Sequence, residues 1–175
     1  IVSKPESHIL VDITKGRVKF IDGKLSADGF DIPESVTKRI AHLVEAGVKD
    51  ITPWISFLDK LIDNPSRSSV EELYDWLEHQ HLPLTDDGDV LGYKSVDNNY
   101  YSHSSGTAVL KQGMTANGRI LNMVGTTVEI ERNKVDDNRD HGCSYGLHIG
   151  NYDYASTFCA GDQRLLIVKF NPADA

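Results

Sequence analysis

The sequence predicts an α+β protein, because helical and strand-like patterns occupy different parts of the chain. Residues 1–83 combine a hairpin pattern with three amphipathic helical patterns, and residues 84–175 contain short strand patterns separated by turn residues. We therefore expect a β-hairpin and three-helix subdomain over residues 1–83. A mostly antiparallel, β-rich domain should follow over residues 84–175.

The amino-terminal strands are predicted by β-branched residues and one tight-turn signal. Ile9–Ile13 is rich in such residues, and further strand patterns cover Arg17–Ile21 and the residues from Lys24 onward. Asp22-Gly23 lies between the last two strands. This dipeptide favours a two-residue type I′ turn because its residues tolerate positive φ, so it predicts a β-hairpin.

Three helices are predicted from their start and stop signals. Pro33 suits the first turn of the first helix, and Thr52-Pro53 begins the second, which ends before Asn64-Pro65. The third should begin at Ser69–Glu72, a capping-box pattern in which each side chain satisfies the other residue's free amide. Pro83 should close this segment.

The carboxy-terminal half predicts strands with little helix. Asp86–Asp89 has the composition of a turn, and Val90–Val96 follows as a strand. The segment Lys111–Val124 is rich in Gly and Asn, so we expect a loop there. Further strands are expected at Val109–Leu110, Thr127–Glu131 and Leu165–Phe170, with one or two helical turns at Tyr152–Phe158.

Composition excludes two broad classes. Eighteen Lys and Arg against 26 Asp and Glu give a net charge of −8, which repels phosphate backbones and argues against general nucleic-acid binding. No run approaches the roughly 18 apolar residues that a membrane span requires, so we expect no transmembrane segment. Two cysteines do not make a disulfide framework and suit a reducing cytoplasm. Because Ile1 is not preceded by Met, we expect the chain to be part of a longer protein.

The richest polar chemistry lies in the run Arg132–His148. It holds two arginines, a lysine, three aspartates, two histidines and a cysteine, and it ends beside the strand-like Gly146–Gly150. Such groups often line a cleft, and Arg132 with Lys94 could then receive the anion of a polar ligand. The alternative is a solvated loop whose mutual ion pairs each contribute little to stability.

Metal and nucleophile chemistry are weaker interpretations of the same run. His141, Cys143, His148 and Cys159 are soft ligands, but their spacing matches no zinc signature, so we expect no metal site. Cys143 beside a histidine could form a thiolate pair, because an imidazolium lowers the pKa of a neighbouring thiol. No third, orienting group stands at a recognisable position. An inert buried thiol is the alternative, and no catalytic residue is assigned.

An ordered set of motifs resembles the rIIB lysis-inhibition proteins of T-even bacteriophages. These motifs are Phe57–Pro65, Leu73–Leu77, Gly92–Val96, Asn99–Tyr101, Arg132–Asp137, Cys143–His148, Tyr154–Phe158 and Val168–Asp174. The resemblance implies a phage accessory protein that delays lysis and escapes host exclusion or defence systems. It also implies an rIIA-like phage partner and a location in the host bacterial cytoplasm, peripheral to the inner membrane in a membrane-associated complex.

A second resemblance implies a ligand. Tyr145–Gly150 and Tyr154–Cys159 are similar to the glycine-aromatic strand and following helix of poly-ADP-ribose-polymerase-like transferases. That pattern would place His148 and Phe158 around NAD or an ADP-ribose-like ligand, although Lys94 stands where a histidine or arginine is expected. The candidate ligand-binding residues are Tyr93, Lys94, Arg132, Asp136, Asp137, Cys143, Ser144, His148 and Phe158.

Overall fold

The structure is a computed structural model that describes residues 17–21, 24–28, 30–46, 50–80, 82–136, 141 and 145–175. Its helices and small antiparallel sheets confirm the α+β class. The predicted strand Ile9–Ile13 and turn Asp22-Gly23 lie outside the described residues. No helix in the described ranges is long and apolar enough to span a bilayer.

Three strands and three longer helices come first, and the rest of the chain consists mostly of short strands. The helices are α1 (Glu34–Glu45), α2 (Thr52–Ile62), α3 (Arg67–Gln80) and α4 (Tyr152–Thr157), with 3-10 turns at Arg132–Lys134 and Pro172–Asp174. The strands are β1 (Val18–Ile21), β2 (Lys24–Ala27), β3 (Phe30–Asp31), β4 (Val90–Val96), β5 (Leu110–Gln112), β6 (Met114–Ala116), β7 (Arg119–Leu121), β8 (Glu129–Ile130) and β9 (Arg164–Phe170).

Contacts divide the chain into two compact units. The helical unit comprises residues 1–91 and 169–175, and the inserted unit comprises residues 92–168. The helical unit holds fourteen of the sixteen buried hydrophobic side chains among the described residues. The boundary at residue 83 that the sequence favours stays a prediction.

Strand pairing follows the chain order in the amino-terminal sheet. β1, β2 and β3 are antiparallel neighbours, and Ile21 faces Lys24 across the hairpin end. In the rest of the chain β4 pairs with β9, β5 with β8, and β6 with β7. The two-residue spacing between Ile21 and Lys24 is the spacing that the hairpin prediction requires.

Arg17 joins the hairpin to α2 through three carboxylates. Its guanidinium donates to Asp63 at 2.7 Å, to Asp59 at 3.1 Å and to Asp28 at 3.1 Å. The hydrogen bond to Asp63 is the largest of the effects that raise the pKa of Arg17 above its ordinary value. Three partners in one fork fix the direction in which β1 approaches the helix.

The predicted start of α3 was wrong by two residues. The helix begins at Arg67, and the hydroxyl of Ser66 accepts the Ser69 N–H at 3.2 Å. Ser66 therefore caps the helix in place of the expected Ser69–Glu72 capping box. Its own N–H donates to the Asn64 side chain at 2.9 Å, so the turn after α2 already orients the cap.

The loop predicted at Lys111–Val124 was also wrong, because this segment contains the β6–β7 hairpin. Asn117 and Gly118 connect the strands and both have positive φ, 53° and 74°. Asn-Gly is a strong two-residue hairpin signal. Here it decides the structure of a segment whose overall composition favours a loop.

The turn before β4 lies directly against the backbone of α2. Gly88 has a φ of +81°, and a Cβ added there would stand 2.3 Å from the Phe57 backbone nitrogen. The next residue, Asp89, is buried and accepts from Lys60 at 2.6 Å and from Lys169 at 3.1 Å. The hydrogen bond and charge of Asp89 raise the pKa of Lys169 above its ordinary value.

The last described residues contact α3 and the residue Asn64, which follows α2. The Asn64 side-chain amide, after α2, donates to the Pro172 and Ala175 carbonyl oxygens at 2.9 and 2.8 Å. Trp76 of α3 packs against Phe170 of β9, with ring centroids 6.4 Å apart. The last residues of β9 and those that follow it are thus fixed to the helical unit.

Gly88→Ala should destabilise the protein by roughly 2–5 kcal/mol, because the left-handed φ and a forced backbone displacement act together. Gly125→Ala is the matched control, since Gly125 also has a φ of +81° but its added Cβ would meet no atom within 4 Å. Urea unfolding followed by circular dichroism measures both. If both variants lose the same free energy of unfolding, the contact between Gly88 and α2 does not contribute to the destabilisation.

Candidate functional site

A short backbone bridge places β4 beside His148–Gly150. Tyr93 and Gly150 exchange two hydrogen bonds, at 2.8 Å from the Tyr93 N–H and 2.9 Å from the Gly150 N–H. A Cβ at Gly92 would lie 2.3 Å from Ile149 Cγ2, so this close approach requires glycine. The strand predicted at Gly146–Gly150 is reduced to this single bridge.

Lys94 is fixed at the edge of the bridge. Its ammonium donates to the His148 backbone carbonyl at 2.8 Å, which brings two of the predicted site residues together. Burial lowers the pKa of Lys94 below its ordinary value. The imidazole of His148 is exposed. The arrangement is an amine held in place by a carbonyl dipole, with an exposed imidazole on the same residue.

Aromatic rings surround the same bridge. Tyr93 meets Tyr152 edge to face at 5.5 Å, and Tyr154 meets Phe158 edge to face at 5.1 Å. A Cβ at Gly150 would stand 2.8 Å from Tyr154 Cδ1, so the Tyr154 ring packs on this glycine. The Asn151 side chain accepts the Tyr154 N–H at 2.7 Å and so starts α4 beside the bridge.

Arg132 and Asp136 belong to a second group of residues, around Tyr145. Arg132 begins a 3-10 turn, and the Asp136 N–H donates to the Tyr145 carbonyl at 2.8 Å. The Asp136 carboxylate lies 2.9 Å from His141 Nδ1. Convergence of Arg132 with Lys94 and His148 on one cleft stays a prediction. Three further candidates, Asp137, Cys143 and Ser144, lie outside the described residues.

Beside this second group lies a cavity that the sequence did not predict. Its volume is about 250 Å³, and it is lined by Thr107, Ala108, Val109, Ile130, Lys134, Tyr145 and Gly146. The sequence indicated strands near Val109 and Ile130 but gave no sign that they pair. Within the described ranges, no group of three or more His, Cys, Asp or Glu side chains is arranged to hold a metal ion.

A polar network around Asp97 supports the β6–β7 hairpin. Its carboxylate accepts the Asn99 and Tyr101 N–H groups at 2.9 Å and pairs with Arg119 of β7 at 2.9 Å. The Tyr101 hydrogen bond is the largest cause of the lowered pKa of Asp97. Tyr100, inside this turn, has a φ of +68° and lies under the Arg164 guanidinium at 4.7 Å.

Comparison with known proteins identifies the class. The family described as Bacteriophage T4 protein rIIB matches residues 3–175, and the chain belongs to this family. It is 28% identical over 159 residues to Protein rIIB of Enterobacteria phage T4. That match covers 91% of this chain and 47% of the T4 protein, so the chain spans about half the length of this relative. No solved structure matches.

The lowered pKa of Lys94 predicts the direction in which protein stability changes with pH. The folded protein releases the Lys94 proton at a lower pH than the unfolded chain does, so the unfolded chain binds more protons in between. Stability should therefore rise, relative to Lys94→Met, as the pH is raised through the folded pKa towards 10.5. Urea unfolding of both proteins between pH 7 and about 10.5 measures this difference. A difference that falls with pH would contradict the burial of the amine.

Proposed function

We propose that this chain is an rIIB-type phage accessory protein that acts through protein contacts rather than catalysis, and that its inserted unit forms the contact surface. One observation carries the proposal: every large hydrophobic side chain that is exposed among the described residues lies in the inserted unit. These residues are Val109, Met114, Met123, Val124, Tyr145, Leu147, Tyr152, Tyr154, Phe158 and Ile167. Some of them lie together, since Val109 and Tyr145 line one cavity and the Tyr154 and Phe158 rings are 5.1 Å apart. Contiguous exposed apolar patches typically mark interaction sites.

The burial pattern of the inserted unit supports the same proposal. No described residue between positions 97 and 154 is buried. The β5–β8 and β6–β7 pairs each have only two strands, and isolated two-stranded sheets are marginally stable in water. A partner that covers these strands would supply the apolar burial that stabilises such elements, about 25 cal/mol per Å².

The inserted unit carries little of the net charge of the chain. Residues 92–168 contain seven Lys and Arg against eight Asp and Glu, out of a net charge of −8 for the whole chain. The inserted unit is therefore close to neutral, and the acidic excess lies in the rest of the chain. Long-range electrostatic forces should therefore contribute little to association through this unit, which leaves apolar contact as the main driving force.

Family membership suggests the partner and the role. We infer that the partner is the rIIA-like protein of the same phage, in a complex peripheral to the host inner membrane. The role we propose is lysis inhibition and escape from host exclusion or defence systems. The support is the family match together with the exposed apolar surface.

Affinity capture of the full-length phage protein from infected cells tests the proposal. We expect the rIIA-like protein to be recovered. The double variant Val109→Asp/Val124→Asp, at two of the most exposed apolar side chains, 72% and 76%, should lower the recovery about tenfold or more.

The control is Lys38→Glu, which breaks an exposed ion pair with Glu34 in the helical unit and should leave recovery unchanged. Failure to recover an rIIA-like protein, or equal loss with the control variant, would contradict the proposal.

A second candidate function is binding of NAD or an ADP-ribose-like ligand by a fold related to ADP-ribosyltransferases. The favouring observation is the fixed Lys94 amine beside His148, with the Tyr93 and Tyr152 rings adjacent. Calorimetry with NAD and with ADP-ribose should detect heat that His148→Ala abolishes and the exposed His42→Ala preserves. Absence of heat with both ligands would remove this candidate.

A further inference from the structure

We propose that the cavity beside Lys134 receives one large apolar side chain of the partner protein, and that the Lys134 ammonium pairs with a carboxylate next to that side chain. This inference rests on the proposed function and names the chemistry of the partner segment. It concerns one cavity rather than the whole exposed surface of the inserted unit.

Two hydrogen-bonded elements build the cavity walls. Leu110 of β5 faces Ile130 of β8 in the antiparallel register, and Ile130 and Val109, the residue before Leu110, both line the cavity. On the other side, the Asp136 N–H holds the Tyr145 carbonyl at 2.8 Å and so ties Tyr145 to the 3-10 turn that carries Lys134. Backbone pairing therefore shapes both walls.

The size of the cavity fits a single side chain. Its volume is about 250 Å³. An engineered apolar cavity of roughly 150 Å³ already accepts benzene, so a phenyl or leucine side chain can enter this one. Val109 and Tyr145 at its lining are 72% and 63% exposed, so these apolar groups are in contact with solvent until a ligand covers them.

The positive charge of Lys134 determines which group of the partner should lie next to that apolar side chain. In the inserted unit, Lys94 donates to a carbonyl and Lys111 pairs with Glu129. Among the described residues, the exposed Lys134 ammonium has neither a hydrogen bond nor an ion pair in the structure. A cation at the edge of an apolar cavity is complementary to an apolar group that carries a carboxylate.

A minimal probe with this chemistry is 3-phenylpropionate. Methyl NMR of the full chain should show saturable shifts at Val109 and Ile130 upon titration, at millimolar concentrations typical of a small fragment. Propionate lacks the ring, and 3-phenylpropan-1-ol lacks the carboxylate. We expect no saturable shifts from propionate and weaker binding from the alcohol. Equal binding of the acid and the alcohol would overturn the role of Lys134.

Three variants separate the cavity from the surrounding surface. Val109→Asp should weaken probe binding about tenfold or more by placing a charge in the cavity. Lys134→Met should weaken it about two- to fivefold, as expected for an exposed ion pair. Val124→Asp is the matched control, because Val124 is 76% exposed and does not line the cavity.

The same single variants applied to partner capture complete the test. Val109→Asp should lower partner recovery severalfold more than Val124→Asp, because Val124 belongs to the same exposed surface but does not line the cavity. If both lower it equally, or if the probe shifts no methyl group at the cavity, the inference is overturned while partner capture itself still supports the proposed function. Failure to recover a partner with the unmodified protein would instead count against the proposed function.

Discussion

The buried carboxylate of Asp89 is the contact on which the course of the chain depends. It accepts from Lys60 on α2 and from Lys169 on β9, so one side chain joins a helix, the strand that leaves the helical unit and the strand that returns to it. A buried charge is costly unless it is paired, and both lysines satisfy this carboxylate. Gly88 beside it allows the turn to reach the α2 backbone.

The two units differ in how many of their apolar side chains are buried. The helical unit holds most of the buried apolar side chains among the described residues. The inserted unit carries exposed apolar side chains on short paired strands. That division suits a protein that works by binding a partner.

Local signals predicted much of the fold. Val90–Val96 was predicted with its observed bounds, and the second helix was predicted at Thr52, because the turn residues Asp86–Asp89 and the Thr-Pro pair are local signals. The third helix started earlier than predicted because Ser66 competes with Ser69 as the cap. The β6–β7 hairpin differs from the predicted loop because the local turn signal of Asn117-Gly118 outweighs a segment composition that favours a loop.

The candidate site was only partly predictable. The sequence predicted both Lys94 and His148 as site residues. The structure brings them together, although their contact uses the His148 backbone carbonyl rather than its imidazole. The cavity beside Lys134 depends on pairing between Leu110 and Ile130, twenty residues apart. No local pattern reports such a register. The Gly150–Tyr154 packing likewise depends on a backbone approach that only the folded chain defines.

Amide hydrogen exchange tests the central claim, that a partner completes the inserted unit, most directly. The full-length protein should be compared alone and in its captured complex, because exchange reports the local opening of each segment. We expect slower exchange in the complex across residues 107–130 and 145–158, with little change in α2. Protection confined to the helical unit, or none in residues 107–130 and 145–158, would contradict the claim.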